Sequence, residues 1–208
     1  MKSVDRLVEI IKRLRAPDGC PWDREQTHMS IRGHLVEECA ELLEAIDRED
    51  SDSMREELGD VLMHIMLHAE IASEQGLFSF DDVAADLGDK LVRRHPHVFG
   101  DAKAYDSHDV LKIWQQVKTK EKKARTVGGL FDGIPPQLSA LRYAYDVAKK
   151  ADSGILEKAD KNSVSAGDSA DMGRRLFELV REAASRGLEP EAALRDYLNL
   201  VRKADENS

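Results

Sequence analysis

The sequence has few cysteines and few aromatic residues. Its two cysteines, Cys20 and Cys39, are too few to cross-link 208 residues, and they lack the spacing of a metal-binding site. Aromatic residues make up only 5% of the chain, and valine and isoleucine do not alternate with polar residues as they do in strands. We therefore expect an all-α fold and a reducing, cytoplasmic location.

The sequence also lacks long apolar runs and an excess of positive charge. Its N-terminal segment is amphipathic and charged, so neither a signal peptide nor a membrane span is expected there. A net charge of −9 is unfavourable for stable binding to nucleic acid, which requires a basic surface. An acidic protein can still bind a polyphosphate when metal ions lie between the negative charges.

What the sequence does contain is a dense group of carboxylates between residues 36 and 60. Glu38 and Glu41 are three positions apart on one predicted helix, and Glu57 and Asp60 are three positions apart on the next. Each pair therefore shares one helical face. Like charges at this spacing destabilise a helix by roughly 0.2–0.5 kcal/mol per pair, and no lysine or arginine follows one turn later to offset them. A hard divalent cation with oxygen ligands would supply the positive charge.

Apolar residues recur at helical spacing around these carboxylates. The first acidic helix is expected over residues 30–48, and the second from just after a turn at residues 49–53 to residue 74. Each should bury one apolar stripe: Leu35, Cys39, Leu42 and Ile46 on the first helix, and Met54, Leu58, Val61, Leu62, Ile65 and Ala69 on the second. Because only a short polar turn joins the helices, they should pack antiparallel and bring the two carboxylate pairs together.

Two histidines lie on the second acidic helix. His64 and His68 are four positions apart, which is the spacing of a zinc pair, but the glutamate of the HExxH pattern is absent. We therefore favour two structural histidines at the edge of the helix. His64 lies one turn after Asp60 and is in position to orient that carboxylate.

Cations occur at helical spacing later in the chain. Lys90 and Arg94 share a face near the end of a predicted helix, where they would either stabilise the helix dipole or bind phosphate. Trp114 and Lys118 share a face of a helix predicted over residues 107–123. An indole and an ammonium group presented together suit a base and its phosphates, although tryptophan more often packs in a core.

Two acidic strings carry a resemblance to a known family. Glu37-Glu-Cys-Ala-Glu41 followed by Glu56-Glu-Leu-Gly-Asp60 resembles the EExxE…EExxD signature of the all-α nucleoside triphosphate pyrophosphohydrolases, and the MazG family in particular. Residues 19–27, residues 90–99 and the Trp114-x-x-x-Lys118 pair are also similar to MazG segments. The resemblance covers about residues 1–150.

This resemblance implies an antiparallel helix bundle, completed by formation of a homodimer or a higher homo-oligomer. It also implies hydrolysis of nucleoside triphosphates to monophosphate and pyrophosphate with Mg²⁺, for which Mn²⁺ can substitute. By position, the metal ligands would be Glu38, Glu41, Glu57 and Asp60. Lys90, Arg94 and Lys118 would bind phosphates, and Trp114 would contact the base. The attacking water would lose its proton either to Glu37 or to a ligand carboxylate such as Glu38.

The C-terminal part departs from this pattern. Residues 173–176 resemble residues 59–62, but Arg174 replaces Asp60 and no Glu-Glu-x-x-Glu helix precedes the second copy. We therefore divide the chain into a catalytic domain, a connecting helix region, a polar linker and a degenerate second MazG-like unit, at residues 1–125, 126–151, 152–168 and 169–208. The degenerate copy leaves an alternative function open, that of a non-catalytic helical regulator that binds a nucleotide or a partner protein.

Overall fold

A computed structural model describes residues 2–123, 129–151, 154–155 and 167–206. Over these residues the regular secondary structure is entirely helical, which confirms the all-α prediction. The helices are α1 (Lys2–Arg15), α2 (Pro21–Glu25), α3 (His28–Asp47), α4 (Ser51–Glu74), α5 (Phe80–Arg94), α6 (Pro96–Phe99), α7 (Ser107–Lys123), α8 (Ala140–Ala148), α9 (Gly167–Ser185) and α10 (Pro190–Glu206). None of the described helices is long and apolar enough to cross a membrane.

The chain divides into two compact units, Met1–Glu121 and Lys122–Ser208. In the first unit, α3 and α4 form a hairpin whose three connecting residues include Glu49 with a φ of 55°. A side-chain cap fixes the start of each of these two helices. Thr27 forms a capping box with Ser30 at the start of α3, and the Asp50 carboxylate accepts hydrogen bonds from backbone N–H groups in the first turn of α4.

The hydrophobic core of the first unit lies at the end of the hairpin away from the turn. Ile11 of α1 packs there with Ile31 of α3 and with Met66, Leu67 and Ile71 of α4. Because α1 packs against this half of the hairpin, the predicted apolar stripes are only partly buried. Ala69 is buried as expected, but Cys39, Ile46, Leu58 and Ile65 are exposed. The prediction that these four residues are buried was therefore wrong.

Arg15 joins three segments of the first unit. Its Nε and Nη2 atoms donate to the two carboxylate oxygens of Glu74, both at 2.7 Å. Its Nη1 atom donates to the backbone carbonyls of Asp23 and Gln26. The side chain is 5% exposed, so the guanidinium is paired and nearly dry. The loop after α1 is thereby fixed to the end of α4, while Trp22 remains 57% exposed.

The second unit contains α8, α9 and α10, with Ile134, Val147 and Val180 buried. The Ser139 hydroxyl caps α8 and donates to the Glu191 carboxylate of α10 at 2.7 Å. The α9–α10 hairpin agrees with the two C-terminal helices expected from the sequence. Most of the predicted polar linker at residues 152–168 lies outside the described residues.

Candidate functional site

The hairpin of α3 and α4 brings three of the four candidate metal ligands together. Glu38, Glu41 and Glu57 each offer a carboxylate oxygen, and these three oxygens lie within 4.8 Å of one another. Asp60 lies one turn after Glu57 and is half-buried, but it is not part of this close group. A set of carboxylate oxygens suits a hard divalent cation better than a soft one.

The electrostatics of Glu57 reflect this concentration of negative charge. Its pKa is raised above the ordinary value of 4.5, first because the carboxylate is partly desolvated and then because Glu41, Asp60 and Glu38 are close. Asp60 therefore acts on the group through its charge although its oxygens lie outside it. Among the described residues, no lysine or arginine forms an ion pair with any of the four carboxylates. A divalent cation bound among them would balance this charge.

Two histidines border the carboxylates. His64 is 4% exposed, and its Nε2 atom lies 3.9 Å from Oε1 of Glu38. It thus faces Glu38 on the neighbouring helix. The sequence had instead suggested a contact with Asp60 on its own helix. The His34 ring stacks on His64, and Nδ1 of His34 lies 2.9 Å from Oε2 of the exposed Glu37. Glu37 and Glu38 therefore have different environments, one exposed and the other half-buried.

The second histidine of the i, i+4 pair faces elsewhere. Nδ1 of His68 lies 2.8 Å from Nδ1 of His28, with the two rings within 3° of parallel. Burial lowers the pKa of His68, and the proximity of His28 and His64 lowers it further. His64 and His68 thus contact different partners, which agrees with the structural interpretation and not with a zinc pair.

The candidate nucleotide-binding residues meet between α5 and α7. The guanidinium carbon of Arg94 lies 5.8 Å from the ring centroid of Trp114, and the Lys118 ammonium lies 4.5 Å from it. Both distances are within the range of a cation–π contact. Trp114 is half-buried and lies outside the hydrophobic core cluster, so it is available at this surface. Lys90 lies one turn before Arg94 and forms no ion pair with any described residue.

Sequence reasoning missed Glu121 at this location. One of its carboxylate oxygens accepts a hydrogen bond from Nε of Arg93 at 2.8 Å. The other accepts from Nη2 of Arg94 at 2.7 Å and from Nε of Arg94 at 3.2 Å. Hydrogen bonds from Arg94 and then Arg93 lower the pKa of Glu121 to about 2. The signal in the sequence was its position three residues after Lys118, on the same face of α7.

A second cluster of potential ligands has a simpler explanation. Asp106, His108 and Asp109 also lie within 4.8 Å of one another, at the start of α7. The Asp106 carboxylate accepts from the backbone N–H of Asp109, and the Asp109 carboxylate accepts from that of Tyr105. These carboxylates therefore complete hydrogen bonds at the N-terminus of the helix.

The second unit has an ion-paired helix where the first unit has its acidic site. Arg174, which replaces Asp60 in the alignment of the two copies, donates to Asp171 and Glu178 on the same helix, both at 2.8 Å. Two acidic side chains of this helix are thus ion-paired within the helix. Nothing in this arrangement calls for a cation.

The family model and the similar proteins all point to the same family. The model of the MazG nucleotide pyrophosphohydrolase domain matches residues 26–99, which include all four candidate metal ligands, Lys90 and Arg94. The nucleoside triphosphate pyrophosphohydrolase/pyrophosphatase MazG of Thermotoga maritima is 39% identical over 206 residues, covering 92% of this chain and 79% of that protein. The nucleoside triphosphate pyrophosphohydrolase of Escherichia coli K12 is 46% identical over 151 residues, covering 72% of this chain and 57% of that protein.

Two further similar proteins match different fractions of this chain and of their own length. The Bacillus subtilis protein YabN is 51% identical over 140 residues, and the match covers 67% of this chain but only 28% of YabN. A crystal structure of a MazG-related protein from Thermotoga maritima superposes with a TM-score of 0.49 at 28% identity, covering 55% of this chain and 98% of that one. The chain thus spans just over half the length of the Escherichia coli relative and over a quarter of YabN. Identity of 39% across more than three quarters of the Thermotoga maritima protein nevertheless establishes that this chain belongs to the MazG family of nucleotide pyrophosphohydrolases.

Proposed function

We propose that this protein hydrolyses nucleoside triphosphates to nucleoside monophosphates and pyrophosphate, and that the reaction requires Mg²⁺ or, in its place, Mn²⁺. The observation that carries the proposal is the meeting of Glu38, Glu41 and Glu57 across the α3–α4 hairpin without a lysine or arginine partner among the described residues. The names of the relatives supply the reaction class.

The carboxylates fit a magnesium ion by their chemistry. All three close ligands are oxygens, and the pKa of Glu57 is raised by desolvation and then by the neighbouring carboxylates. Glu38, Glu41 and Glu57, with Asp60 one turn further, would hold the ion. Bound there, Mg²⁺ would offset the charges of the carboxylates and the triphosphate and would make water more acidic.

The remaining residues would bind and orient the nucleotide. Arg94 and Lys118 present positive charge close to the Trp114 ring, so we propose that they hold phosphate oxygens while the indole contacts the base. Lys90, on the same face of α5 as Arg94, would add a further cation. Positive charge held at these positions stabilises the charge that develops on the leaving pyrophosphate.

A carboxylate of α3 would accept the proton of the attacking water. Glu37 is exposed and contacts His34, whereas Glu38 is half-buried beside His64. Glu37→Gln and Glu38→Gln distinguish them, because loss of the base lowers kcat while Mg²⁺ affinity is kept, and loss of a metal ligand lowers both.

The reaction is tested by incubating the protein with nucleoside triphosphates and Mg²⁺ and separating the products by ion-exchange chromatography. The expected products are the monophosphate and pyrophosphate, with no turnover in excess EDTA and none by Glu41→Gln. Formation of diphosphate and phosphate, or full activity of Glu41→Gln, would refute the proposal. A screen of common and damaged nucleotides identifies the preferred base and sugar.

We further propose that the protein is a homodimer or higher homo-oligomer joined through the exposed apolar face of α3 and α4. Val36, Ile46, Leu58 and Ile65 are between 41% and 69% exposed on this hairpin, an unusual concentration for helices at the centre of a unit. Sedimentation equilibrium of the wild type and of Leu58→Glu tests this. Only the variant should be a monomer, and a monomeric wild type would contradict the proposal.

A non-catalytic regulator is the second candidate function. The neutralised helix around Arg174 favours it, because one copy of the repeated unit has no acidic site. Such a protein would bind nucleotide tightly without releasing pyrophosphate, so the product assay and a binding isotherm on the same sample separate the two functions. We also propose a cytoplasmic location, in keeping with the two free cysteines.

A further inference from the structure

The proposed reaction leaves Glu121 without a role, although it lies among the candidate phosphate-binding residues. Trp114, Lys118 and Glu121 follow one another at positions i, i+4 and i+7 and so share one face of α7. A carboxylate at this place would ordinarily repel an anionic ligand. Both of its oxygens instead accept hydrogen bonds from Arg93 and Arg94 at the end of α5.

The Glu121 carboxylate holds Arg94 by one edge of its guanidinium group. Nε and Nη2 donate to the same oxygen of Glu121, whereas Nη1 forms no hydrogen bond with any residue that the structure describes. A guanidinium has five N–H donors in a rigid plane, so an arginine held side-on by a carboxylate keeps further donors for a second anion. The plane is also held near the Trp114 ring, 5.8 Å from its centroid.

The charge balance is compatible with binding an anion. Glu121 stays ionised at any physiological pH, because hydrogen bonds from Arg94 and Arg93 lower its pKa to about 2. One negative charge therefore faces the two arginines, while Lys118 and Lys90 add positive charge nearby. Arg94 is only 24% exposed and has already lost much of the side-chain freedom that binding would otherwise cost.

We propose that Glu121 is a positioning residue, which holds Arg94 so that the remaining donors of its guanidinium bind a phosphate group of the nucleotide. This inference rests on the proposed function, because it assigns the phosphate-binding role to Arg94. The opposite role for the same contact is competition, in which Glu121 occupies the donors that the phosphate needs. The two roles predict changes of opposite sign when the carboxylate is removed.

The test is Glu121→Gln, which keeps the size of the side chain but removes its charge and replaces one acceptor oxygen with an amide NH2 donor. We expect KM to rise about tenfold, equivalent to about 1.4 kcal/mol, while kcat changes by less than about twofold. Kd for an α,β-methylene nucleoside triphosphate should rise by the same factor as KM. The matched control is Glu178→Gln, which also takes a carboxylate partner from an arginine, Arg174, and should leave KM unchanged.

A double-mutant cycle shows whether Glu121 acts through Arg94. Arg94→Lys keeps the charge but loses the planar fork, so Glu121→Gln added to it should change KM by less than about twofold. A full tenfold increase in that background would overturn the proposal, and so would an unchanged or lower KM in the single variant. If Glu121→Gln is unfolded at the assay temperature, Glu121→Asp replaces it, since its shorter side chain keeps the charge but cannot reach both arginines.

The binding measurement separates this inference from the proposed function. A wild type that forms no monophosphate and pyrophosphate refutes the reaction, while a higher Kd of Glu121→Gln for the methylene analogue still supports the positioning role. Conversely, a wild type that turns over normally beside a variant of unchanged KM and Kd refutes the positioning role alone.

Discussion

Removing one carboxylate from the acidic group should change the thermal stability in opposite directions without and with Mg²⁺. Without the ion, Glu41→Gln relieves the repulsion with Glu38 one turn away, worth roughly 0.2–0.5 kcal/mol. For a chain of this size a change of 1 kcal/mol shifts the melting temperature by about 2–4 °C. The variant should therefore melt up to about 2 °C higher than the wild type when no metal is present.

With Mg²⁺ the wild type should have the higher melting temperature. An ion that binds only the folded state at about 100 times its Kd stabilises the wild type by about 2.7 kcal/mol, which raises its melting temperature by about 5–10 °C. Glu41→Gln loses one of the three close ligands, so most of this increase should disappear. Differential scanning calorimetry in EDTA and in a Mg²⁺ titration measures the difference in melting temperature without and with the ion.

Glu44→Gln is the matched control on the same helix. Glu44 lies three residues after Glu41 but pairs with Arg48, so its loss removes an attraction that offsets the repulsion it relieves. This variant should not melt higher in EDTA, and it should keep the full increase with Mg²⁺. If Glu41→Gln melts lower than the wild type in EDTA, or keeps the whole increase with Mg²⁺, the three carboxylates do not form a cation site.

Three further predictions concern the nucleotide, pH and the C-terminal unit. Trp114→Ala should weaken nucleotide binding by about 1–3 kcal/mol, the range of base–aromatic stacking, while calorimetry shows unchanged Mg²⁺ affinity; equal loss of both would make Trp114 a core residue. Because the pKa of Glu57 is raised in the folded state, its ionisation destabilises the metal-free protein as pH rises through that pKa. Glu57→Gln should therefore lose less stability than the wild type between pH 4 and pH 7 in EDTA; parallel melting curves would contradict this. Deleting residues 152–208 should leave Mg²⁺ affinity unchanged, since the four carboxylates lie in the first unit; loss of binding by a folded truncation would show otherwise.

The sequence was sufficient for the helices and for the meeting of the carboxylates. Helix α7 ends where predicted and begins within one residue of its predicted start, α3 differs from its expected range by two residues at most, and α4 begins three residues before its predicted start. The proximity of Glu41 and Glu57 followed from two local facts, the spacing of acids within each helix and the short turn between the helices. Local facts of this kind are fully contained in the order of the residues.

The features that the sequence did not predict depend on contacts between distant residues. The contact of Glu121 with Arg94 spans 27 positions, and the spacing of charges along one helix says nothing about a partner on another. Likewise, periodicity identified the apolar stripes that contain Ile46 and Leu58, but not that α1 would pack against the other half of the hairpin and leave both residues exposed. His64 was assigned to Asp60 on its own helix because only that neighbour was visible in the sequence, whereas its ring faces Glu38 on the adjacent helix.

The turn between α3 and α4 makes the acidic group sensitive to insertions at a distance. Surface loops usually accept added residues, because no buried contact depends on their length. Here three residues separate two helices that each contribute ligands, and Glu49 already adopts a left-handed φ of 55° to close the turn. One extra residue accommodated by extending α4 would rotate its faces by about 100° relative to α3. We therefore expect an inserted residue in this turn to move the carboxylates of α4 away from those of α3.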